Sequence, residues 1–173
     1  MSRPRVVVAG LGDSGVLTAI HLAPHADVVG ISSKPGLVSG QELGLRISRP
    51  DAWARDYRIP FGRFRKLDGI RTVHGTLTGA DLGDRTVTVT VADANGTERV
   101  ERFDALVIST GVRNGFWRHP ELQSEADVDA ELRSAHARFA DAETIAVIGG
   151  GAAAVSAAAN LAQTWPGKRM DLY

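Results

Sequence analysis

The stretch RVVVAGLGDSG, residues 5–15, joins an apolar run to three glycines with the spacing G-x-G-x-x-G. A continuous run of valines that ends at glycine is typical of a strand buried on both faces. In this pattern the first glycine permits a tight turn and the second lets the backbone approach a pyrophosphate. The third lets the following helix pack closely on the strand. The spacing predicts a dinucleotide site that comprises Gly10, Leu11, Gly12, Asp13, Ser14 and Gly15.

The residues after this turn complete a βαβ unit. Residues 14–23 have helical apolar spacing, Pro24 ends the helix, and residues 26–32 form a second apolar run. Such a unit is right-handed with parallel strands, and amides at its helix N terminus stabilise phosphate charge. This context favours a dinucleotide site over the alternative, a glycine turn that only packs a helix on a sheet.

The end of the second strand departs from the dinucleotide pattern. That pattern has an acidic residue about 20 positions after the glycines, where it binds ribose hydroxyls. Here Ser32, Ser33 and Lys34 occupy the place. A serine hydroxyl could bind the ribose, or Lys34 could pair with a 2′-phosphate and so select NADP. A third interpretation places Lys34 in solvent.

The spacing of apolar residues changes in the middle of the chain. We expect short helices near 39–48 and 51–56 in a proline-punctuated segment. Residues 72–78, 85–91 and 97–103 then alternate in strand fashion, and Asn95-Gly96 predicts a tight hairpin turn. This pattern predicts an antiparallel meander inserted into a parallel fold.

Another apolar strand, residues 104–110, follows the meander and ends at Gly111. Beyond a connector, Ser124 and Asp127 resemble a capping box. The helix they begin has one apolar stripe, formed by Val128, Leu132, Ala135 and Phe139.

A second glycine turn lies in IAVIGGGAAAVSAAANLA, residues 145–162. Gly149, Gly151 and Ala154 fit G-x-G-x-x-A, and residues 168–173 can form the next strand. The alternative is a low-complexity alanine helix, since alanine is the best helix former. The flanking strands favour a second dinucleotide unit, and two dinucleotides in one protein indicate electron transfer between them. We therefore expect domains at 1–113 and 143–173, joined by a connector with a helix at 114–142.

Composition excludes several classes of function. The chain has 173 residues, 43% of them hydrophobic, with 20 basic and 20 acidic side chains, which argues against a nucleic-acid partner. It has no cysteine, so these residues hold no disulfide or thiolate metal site. No signal peptide is apparent, so we expect a cytoplasmic location. The five histidines lack ligand spacing, so we expect no metal and no catalytic side chain, and packing roles for Trp53, Trp117 and Trp165.

The two glycine turns and the stretch FDALVISTG, residues 103–111, occur in the order seen in the two-dinucleotide flavoprotein oxidoreductases, which the chain resembles. The resemblance is greatest to the apoptosis-inducing-factor and ferroptosis-suppressor branch and to the type II NADH:quinone oxidoreductases. It implies a Rossmann-like FAD-binding domain followed by the first βαβ unit of a Rossmann-like NAD(P)-binding domain. It covers only the N-terminal part of that family, so we expect a fragment that is inactive alone.

The resemblance also implies cofactor contacts. FAD pyrophosphate would lie on Gly10 to Gly15, with Ser33 at the usual position of the ribose-binding acid and Arg46 touching FAD. Leu77 would offer a backbone contact on the adenine side. Thr110 and Gly111 would end the strand beside the cofactor, and the NAD(P)H pyrophosphate would lie on Gly149, Gly151 and Ala154. The family commonly has a glutamate where this chain has Ser156, so no role is carried over there.

The implied reaction is hydride transfer from NAD(P)H to flavin, followed by electron transfer to a small-molecule acceptor such as a quinone. The full-length protein would be cytoplasmic or peripheral to a membrane. Two alternatives remain open from the sequence. One is a single-Rossmann NADP-binding sensor without flavin, and the other is a weakly catalytic interaction flavoprotein.

Overall fold

A computed structural model describes residues 2–38, 43–93, 95–112 and 121–173. The chain divides into two compact units. The first unit comprises Met1–Val38 and Ile59–Glu125, and the second comprises Ser39–Arg58 and Ala126–Tyr173.

The first unit contains a six-stranded sheet with the order β7-β6-β5-β2-β1-β8. β3 and β4 form a separate two-stranded sheet, and two short 3-10 turns follow them, Phe61–Arg63 and Arg65–Leu67. The elements in chain order are β1 Arg5–Ala9, α1 Asp13–Leu22, β2 Asp27–Ser32, β3 Gly36–Val38, β4 Arg58–Pro60, β5 Arg71–Asp81, β6 Thr86–Val91, β7 Glu98–Arg102 and β8 Ala105–Ile108.

The central strands are parallel and buried on both faces, as the valine run predicts. β1 lies between β2 and β8, with Val7 opposite Val29 on one side and Leu106 on the other. On one face Val6, Val8 and Val28 pack with the buried residues of α1. On the other face Val7 and Val29 pack with residues of the later strands. Apolar side chains on both faces explain why the runs are continuous rather than alternating.

β5 belongs to two pairings at once. Its residues 71–74 pair in parallel with β2, whereas residues from Gly75 onward pair antiparallel with β6. A register shift between Leu77 and Gly79 bends the strand. The sheet curls, so Val87 and Val89 of β6 join the same cluster as Val7 of β1. The predicted meander is confirmed, but its first strand is also one of the two outer strands of the parallel part of the sheet.

The β6–β7 connection differs from the tight turn predicted at Asn95-Gly96. The two strands are separated by residues 92–97. The Asp93 carboxylate accepts hydrogen bonds from the amides of Asn95 and Thr97, at 3.1 and 2.9 Å. Hydrogen bonds from Thr97 lower the pKa of the Asp93 carboxyl. The predicted hairpin is present, since β6 and β7 pair antiparallel, but its connection is longer than a tight turn because Asp93 organises a loop in which Gly96 has a positive φ of 61°.

The second unit contains the helices of the central and C-terminal segments and a parallel strand pair. β9 and β10 pair with Ile145 opposite Met170, so the predicted second βαβ unit is confirmed. α4 begins directly after Ser124, and Val128, Leu132 and Ala135 are buried, as the stripe predicts. The elements are α2 Leu43–Ser48, α3 Pro50–Tyr57, α4 Glu125–Asp141, β9 Thr144–Val147, α5 Ala152–Thr164 and β10 Arg169–Leu172.

α2 packs directly on α5. A Cβ at Gly44 would lie 2.6 Å from the Ala157 Cα, so the two helix backbones approach closely. Arg49 donates to the Asn160 side-chain oxygen at 3.1 Å across the same contact. The chain segment Ser39–Arg58 is consequently grouped with the second unit, whereas the sequence-based domain at 1–113 includes it. Among the described residues, no helix is both long and apolar enough to span a bilayer.

A charged pair connects β5 and β7. The Arg71 guanidinium donates to both carboxylate oxygens of Glu101, which is 8% exposed. The hydrogen bonds to Glu101 raise the pKa of Arg71. A bidentate pair of this kind fixes the relative position of the strands.

We expect Glu101→Gln to lower the free energy of unfolding by about 1–2 kcal/mol, because it leaves Arg71 without its charged partner. The control is Arg133→Gln, which removes an exposed pair with Asp51 and should cost less than about 0.5 kcal/mol. Urea denaturation of both variants measures the difference. Equal losses in the two variants would contradict a special role for Arg71 and Glu101.

Candidate dinucleotide sites

The first glycine turn is closed around the Gly10 backbone. The Gly10 amide donates to the Ile31 carbonyl at 2.9 Å, which ties the turn to the end of β2. The φ angle of Gly10 is +97°, a conformation that side-chain-bearing residues rarely adopt. A Cβ there would lie 2.4 Å from the Ser109 carbonyl oxygen. Glycine is therefore required at position 10 by backbone conformation and by space.

Gly15 and Gly12 have opposite surroundings. A Cβ at Gly15 would lie 1.8 Å from the Gly10 carbonyl oxygen, so only glycine lets α1 lie this close to the turn. A Cβ at Gly12 would have no protein atom within 4 Å. Gly12 is also the residue that precedes α1, whose first-turn amides have no carbonyl partner within the helix. An open backbone surface at a helix N terminus fits a pyrophosphate group.

The end of β8 completes this edge of the sheet. The Ser109 amide donates to the Ala9 carbonyl at 2.7 Å, and its hydroxyl donates to the Gly10 carbonyl at 2.8 Å. Thr110 and Gly111 follow immediately, so the structure brings these two predicted site residues together with Gly10. Sequence reasoning missed Ser109. The only sequence feature that indicated Ser109 was a hydroxyl at the end of an apolar strand. Its hydrogen bond to Gly10 depends on the pairing of β8 with β1.

The end of β2 is more enclosed than the sequence suggests. The Ser32 hydroxyl accepts a hydrogen bond from the Lys34 amide at 3.1 Å, and the Ser33 carbonyl accepts one from the Gln123 amide at 2.9 Å. Lys34 is half-buried, and its ammonium donates to the Glu121 carbonyl at 2.8 Å. The interpretation that Lys34 simply faces solvent is therefore wrong.

Leu77 and Arg46 lie in different units. Leu77 is half-buried in β5, next to the register shift, and packs against the cluster that contains Val7 and Val29. Arg46 lies in α2 of the second unit and is only 1% exposed. Its guanidinium carbon is 4.5 Å from the ring centre of Trp53, which is fully buried, in agreement with a packing role. The FAD contacts implied for Leu77 and Arg46 stay predictions.

The second glycine turn repeats the geometry of the first. Gly149 has a φ of +130°, and its amide donates to the Tyr173 carbonyl at 2.7 Å, which ties the turn to the end of β10. Gly151 precedes α5, and a Cβ there would have no protein atom within 4 Å. Ala154 takes the place of the third glycine. Its Cβ lies 3.6 Å from where a Cβ at Gly149 would be, which is an ordinary contact distance.

Two histidines hold backbone carbonyls in place. His74 contacts the Gln123 carbonyl through Nε2 at 3.0 Å, and His136 contacts the Ile47 carbonyl through Nδ1 at 2.7 Å. Within the part of the chain that the structure describes, no group of three histidine or acidic side chains is placed to bind a metal ion. His119 and Trp117 lie outside the described residues.

Two glycine turns, each at the carboxyl end of a parallel strand and each opening a helix, define a protein with two dinucleotide-binding units. The chain belongs to the pyridine nucleotide-disulphide oxidoreductase family, whose model matches residues 4–171. FAD and NAD(P)H are the cofactors of this family. The resemblance to flavoprotein oxidoreductases and the predicted fold class are confirmed. No curated protein matches the chain.

Solved structures share the fold. A NAD-dependent persulfide reductase from A. fulgidus is 21% identical with a TM-score of 0.68, over 97% of this chain and 33% of that one. NDH2 from Plasmodium falciparum is 13% identical with a TM-score of 0.67, over 98% and 41%. The water-forming NADH oxidase from Lactobacillus brevis, bound to NADH, is 22% identical with a TM-score of 0.62, over 98% and 39%. The chain thus spans between a third and about two fifths of their lengths.

Gly12 and Gly15 of the first turn should respond differently to the same added methyl group. We expect Gly15→Ala to lower the free energy of unfolding by about 3 kcal/mol, because the new Cβ overlaps the Gly10 carbonyl. Gly12→Ala should cost less than about 1 kcal/mol, because its Cβ projects into open space. Thermal and urea unfolding measure both. Comparable losses would show that the open space at Gly12 is not present in the folded protein.

Proposed function

We propose that this chain supplies the FAD and NAD(P)H pyrophosphate sites of an NAD(P)H-dependent flavin oxidoreductase. The observation that carries the proposal is the repeated pair of glycine turns. In each turn the first glycine has a positive φ and the second glycine leaves the backbone open at a helix N terminus. The family match supports this assignment, and the order of the two turns along the chain favours FAD at the first.

The first turn would hold FAD through backbone groups rather than side chains. Gly12, Asp13 and Ser14 would present their amides at the start of α1, where the helix dipole favours phosphate charge. Leu11 anchors the turn, because its buried side chain fills the space above Gly30, where a Cβ would lie 2.8 Å away. Gly10 and Gly15 hold the turn against β1 and α1. Thr110 and Gly111 would border the cofactor from the end of β8.

The second turn would hold NAD(P)H in the same way. Gly151 would let the pyrophosphate approach the backbone at the start of α5. Gly149 makes the tight turn, and its bond to the Tyr173 carbonyl keeps the turn at the end of the β9–β10 pair. Ala154 is compatible with close packing because its methyl group makes only ordinary contacts. Residues 149–154 include no acidic or basic side chain, so this turn binds and orients its ligand without transferring protons.

When bound, FAD supplies the capacity to take a hydride from NAD(P)H and to release electrons to an acceptor. We propose a small molecule such as a quinone as that acceptor. The support comes from relatives of the same fold, which include a sulfide:quinone oxidoreductase from Aquifex aeolicus. The lack of cysteine is consistent with it, since no residue of this chain can form a redox-active disulfide.

Matched valine substitutions test the assignment of the two turns. Gly12→Val should reduce the flavin that copurifies with the protein at least about tenfold, because its side chain occupies the space of the pyrophosphate. Gly151→Val should leave the flavin content unchanged but raise the Kd for NADH or NADPH by a similar factor. Flavin absorbance and nucleotide titration give the two readouts. Each variant is the control for the other.

If Gly12→Val weakened nucleotide binding and Gly151→Val removed the flavin, FAD would be assigned to the second turn and NAD(P)H to the first. A wild-type protein that is colourless and yet binds NADP tightly would contradict the flavoprotein assignment and favour a nucleotide-binding module. A yellow protein that excess NADH and NADPH fail to bleach would contradict hydride transfer, while leaving the flavin site intact.

A further inference from the structure

The carboxyl end of β2 lacks the acid that a dinucleotide unit uses to bind ribose. Ser33 stands in that position, and Lys34 follows it. An ionised carboxylate accepts hydrogen bonds from both ribose hydroxyls, whereas an ammonium group has donors only. The side chains of Ser33 and Lys34 therefore do not replace the chemistry of the missing group. A serine hydroxyl offers a single neutral oxygen in place of the two charged oxygens of a carboxylate.

A later segment of the same unit lies against this place. The Gln123 amide donates to the Ser33 carbonyl at 2.9 Å, and the Gln123 carbonyl accepts a hydrogen bond from His74 Nε2 at 3.0 Å. Gln123 is thus fixed to the end of β2 and to His74, the last residue of β5 that pairs with β2. The Lys34 ammonium extends the contact by donating to the Glu121 carbonyl at 2.8 Å. These bonds hold Glu121–Gln123 beside the ribose position.

Glu121 brings a carboxylate to this edge of the sheet. Its backbone carbonyl is held by the side chain of Lys34, the residue directly after the usual position of the ribose-binding acid. Glu121 is exposed, so a ligand at the carboxyl end of β2 can reach it. The hydrogen bond from Lys34 holds the Glu121 backbone at this edge of the sheet before a ligand arrives.

We propose that Glu121 supplies the carboxylate that binds the adenosine ribose hydroxyls of the cofactor at the first glycine turn. The acid that is missing from the end of β2 is replaced by one from the segment after β8, and Lys34 acts as the positioning residue that holds it there. This inference rests on the proposed function, because it requires a dinucleotide at Gly10–Gly15.

The test compares FAD with its analogue that lacks the adenosine 2′-hydroxyl. Each is titrated into the flavin-free protein, and quenching of flavin fluorescence reports binding without requiring turnover. The wild-type protein should bind FAD about tenfold more tightly than the analogue, because a hydrogen bond to a charged acceptor is lost. Glu121→Gln should bring this ratio close to one. Glu125→Gln, a change of the same kind four residues later, should keep the wild-type ratio.

A rescue variant separates ribose binding from a general disturbance of the segment. Adding Ser33→Glu to Glu121→Gln restores an acid at the usual position, so the preference for FAD over the analogue should return. Lys34→Met should weaken the preference less than Glu121→Gln, because it releases the segment but retains the carboxylate.

The outcomes distinguish failure of the proposed function from failure of the ribose assignment alone. If the wild-type protein binds neither FAD nor the analogue, the proposed function fails and the ribose assignment fails with it. If the wild-type protein prefers FAD and Glu121→Gln keeps that preference, only the ribose assignment is overturned. If Ser33→Ala loses the preference for FAD over the analogue while Glu121→Gln keeps it, the ribose contact belongs to the serine hydroxyl instead.

Discussion

The packing of Gly10 against its neighbours is the constraint on which the first unit depends. Its amide bonds to the end of β2, its carbonyl accepts the Ser109 hydroxyl from the end of β8, and Gly15 of α1 touches that carbonyl with no room for a methyl group. Two strands and one helix therefore meet β1 at a single peptide. Because the atoms around Gly10 are closely packed, the helix N terminus is held at the edge of the sheet where a phosphate can be bound.

The two glycine turns show which parts of the motif serve packing and which serve a ligand. Gly10 and Gly149 both have positive φ angles, and the amide of each bonds to the neighbouring strand end. The third position of the motif has room only for glycine in the first turn, whereas the second turn accommodates Ala154. The second glycine of each motif, Gly12 or Gly151, has no protein atom within 4 Å of its Cβ position, and the same is true of Gly150. Packing within the described part of the chain does not require glycine at these two positions, which is consistent with the phosphate sites that we propose there.

The proposed adenosine side of the first site is built from parts that are far apart in sequence. β5 pairs with β2 over its first residues and then turns away to begin the meander, which leaves His74 at the point of departure. His74 and Ser33 both bond to Gln123, so the segment after β8 is fixed where β2 ends and β5 turns away from it. The departure of this chain from the usual ribose-binding acid is thus accompanied by a specific local structure.

Much of this architecture was determined by the sequence alone. The valine run of residues 5–9 predicts a doubly buried strand, and the glycine spacing predicts both turns, because each is indicated by a short local pattern of residue types. The predicted hairpin at Asn95-Gly96 is present, but its loop is longer than a tight turn because the Asp93 carboxylate binds the amides of Asn95 and Thr97.

Tertiary structure alone decided the long-range features. It grouped residues 43–58 with the C-terminal helices, since Gly44 fits against Ala157 and no local pattern records that fit. It placed Ser109 on the Gly10 carbonyl and Glu121 beside Lys34, across 99 and 87 residues of chain. Such contacts depend on strand order and close packing, which a linear pattern of residue types does not encode.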